Sequence, residues 1–292
     1  MTSERPEIFG IPIGSVSATL LLTLYSRALE SLSDDPILSD PKAVELMEKL
    51  TPELAKADSR LYRQVSERKL SHDLVVHIAL RAKKYDEYAR NFLESSPGGT
   101  VVNIGCGLDT RFWRIDDDRV RFYDLDLPDV IALKSKLCAE SERYTMLPSS
   151  VLDFNWMDRV TDESVGPFIF LAEGVFMYLP KKDVQALVLE LQKRFPGSEL
   201  VCEVFNQAWL RRPWKALLDI KLQREFHLGS DVTFQFGISD GRELERWAPC
   251  IEFIDEWSYF DSESKKLGLL LRLMSRIEFI RMTQWTVHYR LH

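Results

Sequence analysis

The residues best equipped for chemistry are a glycine loop and a series of carboxylates, each placed directly after a short apolar run. Gly105-Cys106-Gly107-Leu108-Asp109 follows Val101-Val102-Asn103-Ile104. Glycines there let the backbone turn sharply and approach a ligand with no Cβ in the way, the arrangement that holds a nucleotide-like ligand. Asp124 and Asp126 end the next apolar run, about twenty residues further on, where a carboxylate accepts hydrogen bonds from ribose hydroxyls. Asp126 also suits a cap on a helix opening near Pro128, but two acids flanking one leucine are more than a cap requires. Asp153, after Val151-Leu152, stands where an adenine amino group would sit, and Glu173, between Ala172 and Gly174, faces the same crevice at the strand ends. Acids after three successive strands, joined to a glycine loop after the first, read as one ligand site. A nicotinamide site needs a third glycine where this chain has Thr110.

Further groups admit two readings each. Tyr178, at the start of a helix, either points its hydroxyl at reacting atoms or packs its ring in the core. His227 serves as a base or lies on a surface helix among Arg224, Glu225 and Phe226. Arg27 and Arg111 bind an acidic group of a substrate; otherwise Arg27 lies on an exposed helix face and Arg111 pairs with Asp109 or Asp124. Cys106, Cys138, Cys202 and Cys250 are too far apart for zinc-ligand or CxxC spacing, so no metal is expected, and Cys106 reads as a small buried thiol in a tight turn.

Positioning these groups requires a sheet. Val101–Ile104, Arg121–Leu125, Phe168–Ala172 and Glu199–Val204 read as strands, with a further one around Tyr144–Leu147. Pro128–Glu140 and Lys181–Arg194 have the apolar spacing of crossover helices. The result is an α/β fold with a doubly wound, mostly parallel sheet. Before it, Ser15–Leu32 reads as a helix with Leu21, Leu24, Ala28 and Leu32 on one stripe, Pro41 opens another, and a third over Ser71–Leu93 carries Arg81. The Ser95-Ser96-Pro97-Gly98-Gly99 cluster ends that helix and marks the entrance to the sheet. Residues 1–98 are therefore expected as a helical cover and 99–292 as the core, with a cap inserted at about 206–249 that holds Trp209, Trp214, Phe226, Phe234, Phe236 and Trp247. Period-2 alternation over Phe279–Met282 and Trp285–Arg290 predicts one or two antiparallel strands.

The chain has 292 residues, 45% hydrophobic and 28% charged, enough to bury a sizeable core. Its net charge of −7, with dispersed basic residues, disfavours a nucleic-acid partner. The apolar stretch near Ala18–Tyr25 is too short to span a bilayer, and the amino-terminal residues have no signal-peptide pattern, so a cytoplasmic location without a membrane partner is expected.

The sequence resembles the leucine carboxyl methyltransferase family, including its bacterial members associated with polyketide O-methylation. The likeness is carried by Thr23-Leu24-Tyr25-Ser26-Arg27-Ala28, Asp40-Pro41, Arg81, Val102 through Trp113, Tyr123 through Pro128, Val151-Leu152-Asp153, Ala172 through Pro180, Arg194 through Ser198, Gly237 and Trp247. It implies a class I, Rossmann-like S-adenosylmethionine-dependent methyltransferase. Arg81 would then pair with the cofactor's carboxylate, Gly105 and Gly107 shape its loop, Asp126 hold the ribose with Asp124 the weaker candidate, Leu152 and Asp153 meet adenine, Glu173 contact the methionine portion, and Tyr178 face the transferred methyl. Asn103 stands where many methyltransferases have an acid, and Cys106 where alanine is common. The expected activity is O-methylation of a hydroxyl or carboxyl group on a small molecule, such as a polyketide-like metabolite. The alternatives are a protein C-terminal carboxyl methyltransferase, a nicotinamide-dependent oxidoreductase and a nonenzymatic S-adenosylmethionine-binding module. Methyl transfer from a sulfonium needs alignment and exclusion of water, and a carboxylate acceptor needs no general base, whereas a neutral alcohol does.

Overall fold

The computed structural model describes residues 7–12, 15–56, 60–211, 215, 233–262, 265–268 and 276–292. Its strands are β1 (Thr100–Ile104), β2 (Arg121–Asp126), β3 (Tyr144–Pro148), β4 (Phe168–Ala172), β5 (Ser198–Phe205), β6 (Ile251–Trp257) and β7 (Gln284–Leu291). They form one sheet in the order β3-β2-β1-β4-β5-β7-β6. Neighbours from β3 through β5 are parallel, and β7 runs antiparallel to both β5 and β6. A two-residue ribbon, Glu7–Ile8 with Ile11–Pro12, stands apart from this sheet.

Side-chain alternation divides the parallel strands between two cores. Val101, Phe122, Ile169, Leu171 and Val201 pack against α1 (Ser15–Ser31), α2 (Pro41–Leu54), α4 (His72–Ser95) and α6 (Pro128–Leu137). Val102, Ile104, Tyr123, Phe170, Leu200 and Cys202 point the other way, against α7 (Asn155–Glu163) and α8 (Lys181–Arg194). Burial on both faces is why these strands read as apolar runs with little alternation. The order reverses at β1 and β4, since β1 leads outward to β2 while β4 leads to β5. The carboxyl ends of β1 and β4 therefore flank the crevice where open sheets bind ligands.

Local chemistry fixes the helices that precede the sheet. Asp40 caps α2, its Oδ1 accepting from the Ala43 amide at 2.9 Å, and Pro41 takes the first helical position, where no N–H is required. Ser71 caps α4 in the same way. Helix α1 buries Leu21, Leu24 and Ala28 fully, each leucine stabilising by roughly 2 kcal/mol. Leu32, expected on that stripe, falls past the helix end and is 53% exposed. Helices α3 (Arg60–Ser66) and α5 (Arg111–Ile115) were not anticipated from the sequence.

At the far end of the chain only the second of the two alternating runs forms an antiparallel strand. Phe279–Met282 alternates like a strand, but Glu278–Arg281 forms a single helical turn, α9, and extended backbone resumes only at Gln284. The partner of β7 is β6, whose charged, largely exposed sequence Ile-Glu-Phe-Ile-Asp-Glu-Trp has the polarity of a protected sheet edge. In the expected cap, 3-10 turns span Gln207–Leu210 and Glu243–Arg246, Asn206 bridges to Ile238, and Phe236, Ile238 and Leu244 enter the core. Trp214, Phe226 and His227 lie outside the described residues. Among the described residues no helix is long and apolar enough to cross a membrane.

Gly105 is a tight point where the loop leaves β1. Its φ of +64° suits glycine, and a Cβ there would overlap the Cγ2 methyl of Val175. Gly105→Ala is expected to lower unfolding free energy in urea by more than about 1 kcal/mol, and Val175→Ala in the same chain to restore only the steric part of that loss.

Candidate active site

The glycine loop is tied to the strand beside it. The amides of Gly105 and Cys106 both donate to the Leu125 carbonyl, at 2.8 and 3.1 Å. Gly107, at φ +50°, donates its amide to Asp126 Oδ2 at 2.7 Å, and the Leu127 amide donates to Oδ1 at 2.7 Å. A Cβ on Gly107 would stand 3.2 Å from Leu20 Cβ, so α1 lies directly over the loop. Burial pushes the Asp126 carboxyl above the usual range, outweighing these two amides. Asp126 stays partly exposed at the end of β2, with no cation bound to it among the described residues.

Asp124 does something else. It is 2% exposed; its Oδ2 accepts from Lys134 Nζ and the Tyr144 hydroxyl, both at 2.6 Å, and its Oδ1 accepts from Asn103 Nδ2 at 2.9 Å. A carboxylate committed on both oxygens inside the core is not free to take ribose, which corrects its expected role. Asn103 also donates to Asp109 Oδ2 at 3.1 Å, so it fastens β1 to the loop in the place of an acid. Beyond β3, Leu152 is 37% exposed, and Asp153 is an exposed carboxylate whose Oδ1 accepts the Asn155 amide at 3.3 Å.

At the end of β4 the site becomes ionic. Glu173 accepts from Arg81 Nε on Oε1 at 2.8 Å and from Arg111 Nη2 on Oε2 at 2.5 Å. Arg81 Nη1 donates to both oxygens of Glu203, at 3.0 and 3.2 Å, and Gln284 Nε2 donates to Glu203 Oε1 at 2.7 Å. Arg81 Nη2 has no hydrogen-bond acceptor among the described residues. It lies near Gly174, where a Cβ would stand 3.7 Å from it. Burial opposes the charge on Arg81, but Glu203 and Glu173 outweigh it and hold the guanidinium protonated. For Glu173, burial is outweighed by Arg81 and Arg111, and its carboxyl lies below the usual range. For Glu203, burial prevails, with the charge of Glu173 adding to it, and the carboxyl lies above that range.

A second tier holds this one. Arg111, 1% exposed, donates to Asp86 at 2.9 Å and Asp109 at 2.6 Å as well as to Glu173. Arg114 donates to Asp86 and Asp40, each at 2.7 Å. Arg27, 3% exposed, donates to Asp40 at 3.2 Å and to the Leu108 carbonyl at 2.8 Å. Neither Arg27 nor Arg111 is available to a substrate, and Arg27 is not on an exposed face. Burial alone would raise Asp40 and Asp109; arginines, led by Arg114 and Arg111 respectively, outweigh it and lower both.

Tyr178 belongs to a 3-10 turn, Phe176–Tyr178, that follows Gly174. Its ring meets Phe234 edge-on with centroids 5.2 Å apart. Burial pushes the phenol up to about 12, and Arg81 and Glu203 are near enough to act on it in opposite senses. Its hydroxyl has no hydrogen-bond partner among the described residues. Cys106, Cys138 and Cys202 are buried and Cys250 is exposed, all as free thiols. Among the described residues no group of His, Cys, Asp and Glu is arranged to hold a metal.

Sequence reasoning gave no site role to Glu203, Asp86, Arg114 or Asp40, the last being named only in the family resemblance. Glu203 carried a readable signal, an acid within an otherwise apolar run. Asp86 and Arg114 sit on α4 and α5 and Asp40 at the cap of α2, where a charge reads as solvated.

The chain is 31% identical over 253 residues to the tetracenomycin polyketide synthesis O-methyltransferase of Streptomyces glaucescens, covering 86% of each. It is 25% identical to an S-adenosyl-L-methionine-dependent methyltransferase of Gibberella zeae, over 83% of this chain and 82% of that one. Its fold matches a crystal structure of a DUF574 family protein from Streptomyces avermitilis with a TM-score of 0.56 at 14% identity, over 93% and 97% of the two chains. Fold, crevice and relatives define a class I S-adenosylmethionine-dependent methyltransferase. The model of the family described as leucine carboxyl methyltransferase matches residues 21–192, and the chain belongs to that family.

The lowered carboxyls set an acid limit. A carboxylate whose folded pKa is depressed contributes stability above its unfolded value, near 4, and loses it as pH falls through the folded one. The melting temperature should therefore fall steeply below about pH 4. Arg114→Met, which takes one guanidinium from both Asp40 and Asp86 and leaves them only Arg27 and Arg111 respectively, should cost about 3 kcal/mol at neutral pH and flatten that acid loss.

Proposed function

We propose that the protein transfers a methyl group to an oxygen, hydroxyl or carboxyl, of a small molecule such as a polyketide-like metabolite. The observation that carries the site assignment is the open Nη2 edge of Arg81, held beside Gly174 by carboxylates on its other nitrogens. A fixed guanidinium edge with no acceptor among the described residues fits a carboxylate such as that of methionine. Gly105 and Gly107 cradle the middle of the ligand, Asp126 takes the ribose hydroxyls, Leu152 and Asp153 face adenine, and Glu173 contacts the methionine portion. Residues 1–98 serve as the cover of the site and 206–249 as the acceptor's cap.

Bound S-adenosylmethionine supplies an electrophilic methyl on a sulfonium. The protein's part is to hold an acceptor oxygen in line with that methyl and to exclude water. Tyr178, protonated at neutral pH with its pKa near 12, donates to the acceptor rather than removing its proton. That favours an acceptor already ionised, a carboxylate or acidic phenol, over an ordinary alcohol. The O-methyltransferase relative supports oxygen as the target, and the family description supports a carboxyl.

Calorimetric titration with S-adenosylmethionine, S-adenosylhomocysteine and NAD is expected to show binding of the first two only. Asp126→Ala should abolish that binding, and unchanged affinity would remove Asp126 from the site. Labelled methyl should appear on small carboxylic acids or phenols; transfer instead to a peptide with a free carboxyl terminus, and not to its amide, would favour protein-tail methylation. Tyr178→Phe should leave S-adenosylhomocysteine affinity intact and lower kcat on the order of tenfold, the scale of one hydrogen bond.

A further inference from the structure

Glu203 is a buried acid that neither the cofactor cradle nor the acceptor site uses directly. It lies on β5, at 2% exposure, one strand further from the glycine loop than Glu173. Two of the three nitrogens of Arg81 are occupied by acids: Nε by Glu173, and Nη1 by both oxygens of Glu203. A guanidinium is planar and rigid, so contacts to two of its nitrogens fix where the third points. Glu203 is itself fixed by Gln284 from β7, through a 2.7 Å hydrogen bond to Oε1. The alignment of Arg81 thus runs back to the antiparallel end of the sheet.

We infer that Glu203 is a positioning residue for the cofactor's amino-acid end: with Gln284 behind it, it clamps Arg81 so that Nη2 is presented over Gly174 to the ligand carboxylate. The inference rests on the reading of Arg81 as the carboxylate's partner. Glu173 alone cannot do this, since it is shared with Arg111 and holds Arg81 only through Nε. The glycine at 174 keeps the space before Nη2 open, because a Cβ there would lie 3.7 Å from Nη2 and 3.5 Å from Glu203 Oε2.

The test compares two ligands that share the adenosine and the thioether, S-adenosylhomocysteine and 5′-methylthioadenosine, which lacks the amino-acid end. Glu203→Gln should raise the dissociation constant of S-adenosylhomocysteine on the order of tenfold, the scale of one charge-assisted hydrogen bond, and leave that of methylthioadenosine unchanged. In turnover, KM for S-adenosylmethionine should rise more than kcat falls. Should Glu203→Gln not fold, Gln284→Leu tests the same clamp more gently, with a rise of roughly threefold for S-adenosylhomocysteine alone. Equal loss for both ligands, or loss for neither, in the variant that folds overturns the inference. Arg81→Met separates the two levels. If it removes the preference for S-adenosylhomocysteine while the Glu203 and Gln284 variants keep it, only the clamp is wrong; if it too keeps the preference, the reading of Arg81 is wrong.

Discussion

The structure depends on a buried ion lattice in which arginines of α4 and α5 meet carboxylates from α4, the cap of α2, the loop after β1 and the ends of β4 and β5. Each ion would be strongly unfavourable alone in that environment, and each is tolerable only because its partners are already in place. The lattice therefore works as a registration device. Arg114 joins Asp40 at the start of α2 to Asp86 in α4, and Arg111 joins Asp86 to Glu173, so the helices above the sheet and the strand ends beneath them share one set of contacts. Shifting any of these elements by one residue would leave a charge unpaired.

The same contacts leave the buried ionic centre with an excess of one sign. Arg27, Arg81, Arg111 and Arg114 are set against Asp40, Asp86, Asp109, Glu173 and Glu203, one carboxylate more than guanidiniums. Asp126 adds a further acid at the next strand end. In the proposed reading, that excess of carboxylate would face the sulfonium and ammonium of the cofactor, with Arg81 meeting its carboxylate.

Much of the frame was legible in the sequence because its signals are local. The apolar run Phe168–Ala172 and the periodic segment Lys181–Arg194 coincide with β4 and α8, and the glycine loop falls directly after β1. Asp124 and Asp126 look alike in sequence, and only the approach of Lys134 and Tyr144 separates a core acid from one at the crevice. Arg27 and Asp40 meet across a turn, and Arg81 and Glu203 across 122 positions. Pairing at such range leaves no periodicity to read. Strand β6 was hidden for the opposite reason, since an edge strand is protected by the charges that make it look like a loop.

Strand β7 comes after β6 in the sequence but lies between β6 and β5 in the sheet. A chain emerging from the ribosome can pair its five parallel strands as soon as β5 appears, yet β6 must wait without a sheet neighbour until β7 has been translated and inserted. Gln284, behind the Glu203 carboxylate, arrives with that last strand. Assembly of the parallel half and completion of its buried ionic centre are therefore separate events in biosynthesis, ordered by topology.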